Sequence, residues 1–174
     1  AMANNFFLYK NFNIGKSLVE ANTKEIIEKI YEKAKINNCK IIIPEDCVVS
    51  SSFEGDGKNK NLDQIENSEM ILDIGVNTIK KIEYIIDNSS TVLWNGPAGY
   101  FENKNFLKGT MSIAENISKN TIKKSLISVL GGGDTLAAIK NSEHKLSFSH
   151  LSTAGGAFLE YLEGKDLPGL SVLK

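Results

Sequence analysis

Cysteine, histidine, proline and tryptophan are all scarce in this chain of 174 residues, which has two, two, three and one of them. Cys39 and Cys47 lack C-x-x-C spacing, and only His144 and His150 could join them, which argues against a cysteine or histidine metal site, and both thiols are expected to be buried and reduced, as a reducing cytoplasm allows. Charge of one sign is also missing: 20 basic and 21 acidic side chains give a net charge of -1 and are interspersed, which argues against a nucleic-acid partner. There is no apolar run of spanning length and no basic-apolar leader, so neither a membrane span nor secretion is expected. Internal repeats and low-complexity tracts are absent too. What remains, 41% hydrophobic and 24% charged residues, describes one soluble globular domain with its own core. The chain opens "AMANNFFLYKNF", apolar from its second residue, which suggests a piece of something longer.

Apolar spacing along the chain alternates between two periods. After a helical opening segment, Ile26, Ile27, Ile30, Tyr31 and Ala34 recur at helical spacing over 23–35, behind the capping candidates Asn22 and Thr23. Lys40 to Pro44 reads as a buried strand, and Ser50 to Glu66 as a long surface loop with a short edge strand at its start. Met70 to Ile74, Thr91 to Gly96, "SLISVLGG" and "FSHLST" read as further strands. Helical patterns lie between them: Ile79, Ile82, Ile85 and Ile86; Phe106, Leu107, Thr110, Ile113, Ala114 and Ile117; and, after Gly156, the apolar face Ala157, Phe158, Tyr161 and Leu162. Short, nearly continuous apolar strands separated by helices predict an α/β fold, a Rossmann-like three-layer sandwich with a mainly parallel sheet.

Ligands of such sheets sit beyond the carboxyl ends of the strands. Those ends read "LDIGVN", "LWNGPAGYFE", "LGGGDT" and "LSTAGG", and every one contains glycine. Gly131, Gly132 and Gly133 have no side chain to keep an anion from the main chain, and the helix that follows would aim free N–H groups at it. Asp134 is either the ordinary N-cap of that helix or a carboxylate held to a polyphosphate through magnesium, and Thr135 could add a hydroxyl. In "WNGPAGYFE", Asn95 and Glu102 are displayed by a Gly-Pro-x-Gly turn; they are either part of a tight connection or a phosphate donor and a ribose acceptor. Gly155 and Gly156 serve either close packing or a second anion site. His150 reads as an interior histidine. "GGGDTL" fails the dinucleotide pattern, and "IGKS" at Ile14 to Ser17 lacks the earlier glycine of a P-loop.

Taken in order and spacing, "LDIGVNT", "LWNGPAGYFE", "LGGGDTLAAI" and "STAGGAFLEYLEGKDLPGL", with "MANNFFL" near the start, closely resemble the C-terminal, nucleotide-binding half of phosphoglycerate kinase over nearly the whole chain. The resemblance implies that residues 1–174 are a C-terminal nucleotide-binding domain without its first strands and without the upstream domain that binds 3-phosphoglycerate. It implies reversible phosphoryl transfer between ATP and 3-phosphoglycerate, giving ADP and 1,3-bisphosphoglycerate in glycolysis, with Mg2+ as cofactor, in a cytoplasmic and monomeric full-length enzyme. Residue by residue, Glu102 would hold the ribose, Gly75 and Pro97 would line the adenine side, and Asn95 would reach the phosphates. Gly132, Gly133, Asp134 and Thr135 would hold the phosphates, with Asp134 on magnesium, and Gly155 and Gly156 would begin the helix facing the transferring group. Lys10 and Lys16 do not match the family's lysines, Val76 stands where proline is usual, and Asn5 replaces a threonine. The isolated chain is expected to bind nucleotide weakly and not to turn over. A non-catalytic nucleotide-binding module, and a sugar-nucleotide enzyme with no need of Asp134 or magnesium, are the rival readings.

Overall fold

Helical spacing becomes helix wherever one face finds a partner, and the order of elements follows. The computed structural model describes residues 1–140, 142 and 144–173. Its helices are α1 (Met2–Tyr9), α2 (Lys24–Ile36), α3 (Val76–Asp87), α4 (Lys108–Lys124), α5 (Gly133–Lys140), α6 (Gly156–Leu162) and α7 (Pro168–Ser171). Its strands are β1 (Asp46–Ser50), β2 (Lys58–Asn61), β3 (Met70–Ile74), β4 (Thr91–Asn95), β5 (Ile127–Gly131) and β6 (His150–Leu151). The fold is α/β, and its strands divide between two sheets.

The first sheet has the order β2-β1-β3 and is antiparallel throughout. The second has the order β4-β5-β6 and is parallel, with Asn95 opposite Gly131 and Leu130 opposite Leu151. Each sheet has its own core. Phe7, Ile14, Cys47, Val49, Leu62 and Ile65 cluster at the antiparallel sheet, and Ile86, Trp94, Ile113, Ala114, Ile117, Leu126 and Leu130 at the parallel one. α4, the longest of these helices, buries one face. Thr110, Ile113, Ala114 and Ile117 are all buried on one stripe, and the helix stops where Ser125 turns left-handed at φ 57°.

Helix α3 is capped from outside its own sequence. The side chain of Asp46, fully buried on β1, accepts hydrogen bonds from the N–H groups of Asn77 (3.0 Å) and Thr78 (2.8 Å), from the Thr78 hydroxyl (2.7 Å) and from Asn59 Nδ2 (3.2 Å). A carboxylate at the N-terminus satisfies two donors that the helix cannot, and complements its dipole.

Several expectations change. Lys40 to Pro44 is not a strand; the strand lies at Asp46–Ser50, where both edges find partners, while the isoleucines before it are only half-buried. The loop after Ser50 ends in β2 rather than starting with a strand, because β2 returns antiparallel along β1. Cys47 is buried but Cys39 is exposed. His150 is exposed, since β6 is two residues long and lies at the edge of its sheet. On α2 only Ile27 is buried and Ile26 remains 58% exposed. No residue of α6 is buried: Phe158 is half-covered, and Ala157, Tyr161 and Leu162 face outward.

Candidate functional site

Parallel pairing in register brings the ends of β4, β5 and β6 into one row, so the glycine-rich turns after them stand side by side. Gly96 (φ 102°) and Gly132 (φ 91°) adopt backbone angles that a side chain would strain, and each turn leaves its strand there. The turns are tied together. The Gly96 N–H donates to Thr135 Oγ1 at 2.7 Å, and Trp94 Nε1 donates to the Gly96 carbonyl at 2.8 Å. Thr135 is fully buried, and its hydroxyl holds the β4 turn against the first turn of α5.

Asn95 lies between these turns. A Cβ on Gly132 would stand 3.0 Å from Asn95 Oδ1, and one on Gly131 would stand 3.1 Å from Asn95 Nδ2. That Nδ2 is shielded from solvent and has no hydrogen-bond partner. Buried donors normally have acceptors, so an orphan beside a glycine turn marks a place where an acceptor belongs. Gly133 opens α5 with nothing within 4 Å of where a Cβ would point, and Asp134 is exposed on the same turn.

A cleft of about 490 Å³ adjoins this row. Pro97, Glu102 and Asp134 line it together, with apolar walls from Phe7, Leu18, Leu72 and Ile74. The turn from Pro97 to Glu102 is held in place from several sides. Tyr100 N–H donates to the Leu72 carbonyl (2.7 Å), Ala98 N–H donates to Thr110 Oγ1 (3.0 Å), and Tyr100 packs on Phe53 with ring centroids 4.9 Å apart. Under it lies Asp73, 2% exposed, whose carboxylate accepts from the N–H groups of Gly109 and Ile74, both at 2.8 Å. Burial pushes this carboxyl up to about 6, against the pull of those hydrogen bonds and of the Lys108 charge.

The structure therefore brings Asn95, Pro97, Glu102, Gly132, Gly133, Asp134 and Thr135 to one end of the parallel sheet and its adjoining cleft. Gly155 and Gly156 follow β6 at the same end and are open. Gly75 differs: it is absent from the cleft wall, and a Cβ there would lie 2.2 Å from the Asp46 carboxyl carbon. Its φ of -83° suits any residue, so the requirement for glycine is purely one of space. Gly75→Ala is expected to lose about 1–3 kcal/mol by forcing the Asp46 cap aside, measurable as a lower urea midpoint with an unchanged slope.

Sequence reasoning missed Asp46 and Asp73. Each accepts from a backbone donor far along the chain, Thr78 for Asp46 and Gly109 for Asp73, and no local pattern announces that. Among the described residues no three His, Cys, Asp or Glu side chains form a group that could hold a metal ion, and no helix is long and apolar enough to cross a membrane.

Comparison with known proteins adds family relationships. A family model described as Phosphoglycerate kinase matches residues 1–165. Curated phosphoglycerate kinases of Methylorubrum populi and Chloroherpeton thalassium are 42% and 45% identical to this chain over 175 residues, covering 99% of it and 44% of their own length. The solved phosphoglycerate kinase structure from Coxiella burnetii superposes with a TM-score of 0.89 at 38% identity, over 99% of this chain and 44% of that one. The one from Pyrococcus horikoshii gives 0.75 at 30%, over 98% and 42%. The chain spans less than half the length of the curated relatives it matches.

Proposed function

The chain belongs to the phosphoglycerate kinase family, and from that premise we propose that it carries the magnesium-nucleotide site of an enzyme that moves a phosphoryl group between ATP and 3-phosphoglycerate. The observation that carries this reading is the meeting of Pro97, Glu102 and Asp134 on one cleft, beside a row of glycine turns at the end of a parallel sheet. The apolar walls suit a flat base, with Gly75 behind them at the end of β3. Glu102, on the rim, accepts from a ribose hydroxyl. Phosphates lie against Gly132 and Gly133, where main-chain N–H groups at the start of α5 and the Asn95 amide donate to their oxygens. Gly155 and Gly156 face the transferring group, and Thr135 keeps the two phosphate-binding turns in register.

A single exposed carboxylate fits magnesium poorly by itself and well beside a polyphosphate, since that ion keeps several waters and takes one or two carboxylates together with phosphate oxygens. Asp134 is that carboxylate. Asp134 would hold the ion, which when bound would supply neutralisation of phosphate charge, and the glycine turns position the phosphates. Phosphoryl transfer asks mostly alignment and charge neutralisation of a protein. In this reading the 3-phosphoglycerate site lies in the remainder of a longer protein, so the isolated chain binds Mg·ADP without turning over.

Titration calorimetry with Mg·ADP tests the site. Saturable binding is expected, weakened about tenfold or more by Asp134→Ala and by Glu102→Ala, a loss of about 1.4 kcal/mol or more each. A folded chain that binds nothing, or binding indifferent to both changes, would overturn the assignment. The rival of a non-catalytic binding module predicts the same binding with no transfer even when the full-length protein is assayed.

A further inference from the structure

The orphan amide of Asn95 shares the space over Gly131 with one side chain of α6, a helix that buries none of its residues. A Cβ on Gly131 would stand 2.9 Å from Phe158 Cδ1, 3.2 Å from Phe158 Cε1 and 3.1 Å from Asn95 Nδ2, so the Phe158 ring lies flush against Gly131 with the Asn95 amide beside it. Nδ2 has lost its water there and gained no acceptor in exchange. An aromatic ring edge or face offers an amide donor far less than an oxygen does, so this arrangement leaves the donor's desolvation unrelieved. Helix α6 meanwhile has no buried residue, begins after Gly155 at φ 52°, and holds Phe158 only half-covered. Little packing resists a swing of α6 away from the sheet.

The geometry points to Phe158 as a plug of the phosphate cradle, which a phosphate oxygen displaces when it becomes the acceptor of Asn95 Nδ2. This inference rests on the nucleotide reading of the cradle. Displacement removes the ring from Gly131 and gives Asn95 the partner it lacks, while the open Gly133, Gly155 and Gly156 leave the anion unobstructed on the other sides. Phe158 is thus a specificity and gating residue, not one that touches reacting atoms. Because apolar cover is lost only when the plug leaves, binding of a ligand without phosphate, such as adenosine, is not coupled to it.

The experiment compares the full chain with Phe158→Ala and Phe158→Ser. Neither truncation removes a buried side chain, so unchanged circular dichroism and melting are expected. Both variants should bind Mg·ADP about tenfold more tightly than the parent, adenosine affinity should stay the same, and Asn95→Ala in the Phe158→Ala background should erase the gain. Equal or weaker Mg·ADP binding by both folded variants would overturn the plug. If neither parent nor variants bind nucleotide, the nucleotide reading fails instead, and the plug is then judged without ligand from solvent exchange of the Asn95 side-chain amide by NMR: faster exchange in Phe158→Ala supports it and unchanged exchange refutes it.

Discussion

Asp46→Ala is expected to cost about 3–5 kcal/mol of stability, with a fall in melting temperature on the order of 10 °C. The carboxylate is fully buried and accepts from four donors: two main-chain N–H groups of α3, the Thr78 hydroxyl and the Asn59 amide. Alanine removes the acceptor of the Asn77 N–H, the Asn59 amide and the Thr78 N–H, the last of them in a buried site, while the Thr78 hydroxyl keeps the Asp46 carbonyl as an acceptor. Burial by itself would raise the Asp46 pKa, but the hydrogen bonds from Asn77, Thr78 and Asn59 outweigh it and hold the group below its ordinary 3.8. A depressed carboxyl contributes stability above its unfolded-state pKa and loses it as pH falls through the folded-state value. The acid limb of the parent's stability curve should therefore be steeper than that of Asp46→Ala. Urea unfolding at pH 7 and again below pH 4 measures both effects, and a loss under 1 kcal/mol at pH 7 would show that the cap is dispensable.

Asp73 should act with the opposite sign at milder pH. Its folded-state value is raised from 3.8 to about 6, so its contribution is fully present below 3.8 and is lost as pH rises through about 6. The difference, about two pH units, corresponds to about 3 kcal/mol, which makes the parent more stable at pH 4 than at pH 7 as far as this group is concerned. The window is clear of Asp46, whose titration lies below 3.8. Urea midpoints across pH 4 to 7 should slope downward in the parent and flatten in Asp73→Asn, whatever that variant's baseline. A flat parent profile, or an Asp73 carboxyl carbon titrating near 4 by NMR, would contradict the assignment. Asp73 lies beneath the turn that presents Pro97 and Glu102, so its ionisation acts at the floor of the cleft.

The contrast between these two carboxylates and the glycine turns explains what the sequence could convey. "LWNGPAGYFE" and "LGGGDT" are legible because the constraint is local: a strand must end, the backbone must reach φ near 100°, and open N–H groups must follow within a few residues. α4 is legible for a similar reason, since four buried positions on one stripe specify a helix and its orientation together. Asp46 and Asp73 are not, because each caps a main-chain donor some 30 residues further along the chain, the N–H of Thr78 and of Gly109, and such a group has no sequence signature. The apolar stripe of α2 misled for another reason. Ile26 and Ile30 have helical spacing, but spacing says nothing of whether a neighbour exists to cover them, and here they stay exposed. Likewise "KIIIPEDCVV" offers two apolar stretches of equal promise. Only the one carrying Cys47 and Val49 gains ladder partners on both sides, and the antiparallel sheet is built around it.

The stretch left over, Lys40 to Pro44, bears on solubility. Among the described residues the N–H and C=O groups of Lys40, Ile41, Ile42 and Ile43 enter no main-chain hydrogen bond, a condition that invites another chain to add a strand. A lysine opens the stretch and a proline, which has no N–H, closes it. These are the residue types that proteins set beside apolar segments to discourage strand addition. Three isoleucines confined between them make a row too short to template a long ladder, so the same segment that supplies apolar surface also limits its own capacity to aggregate.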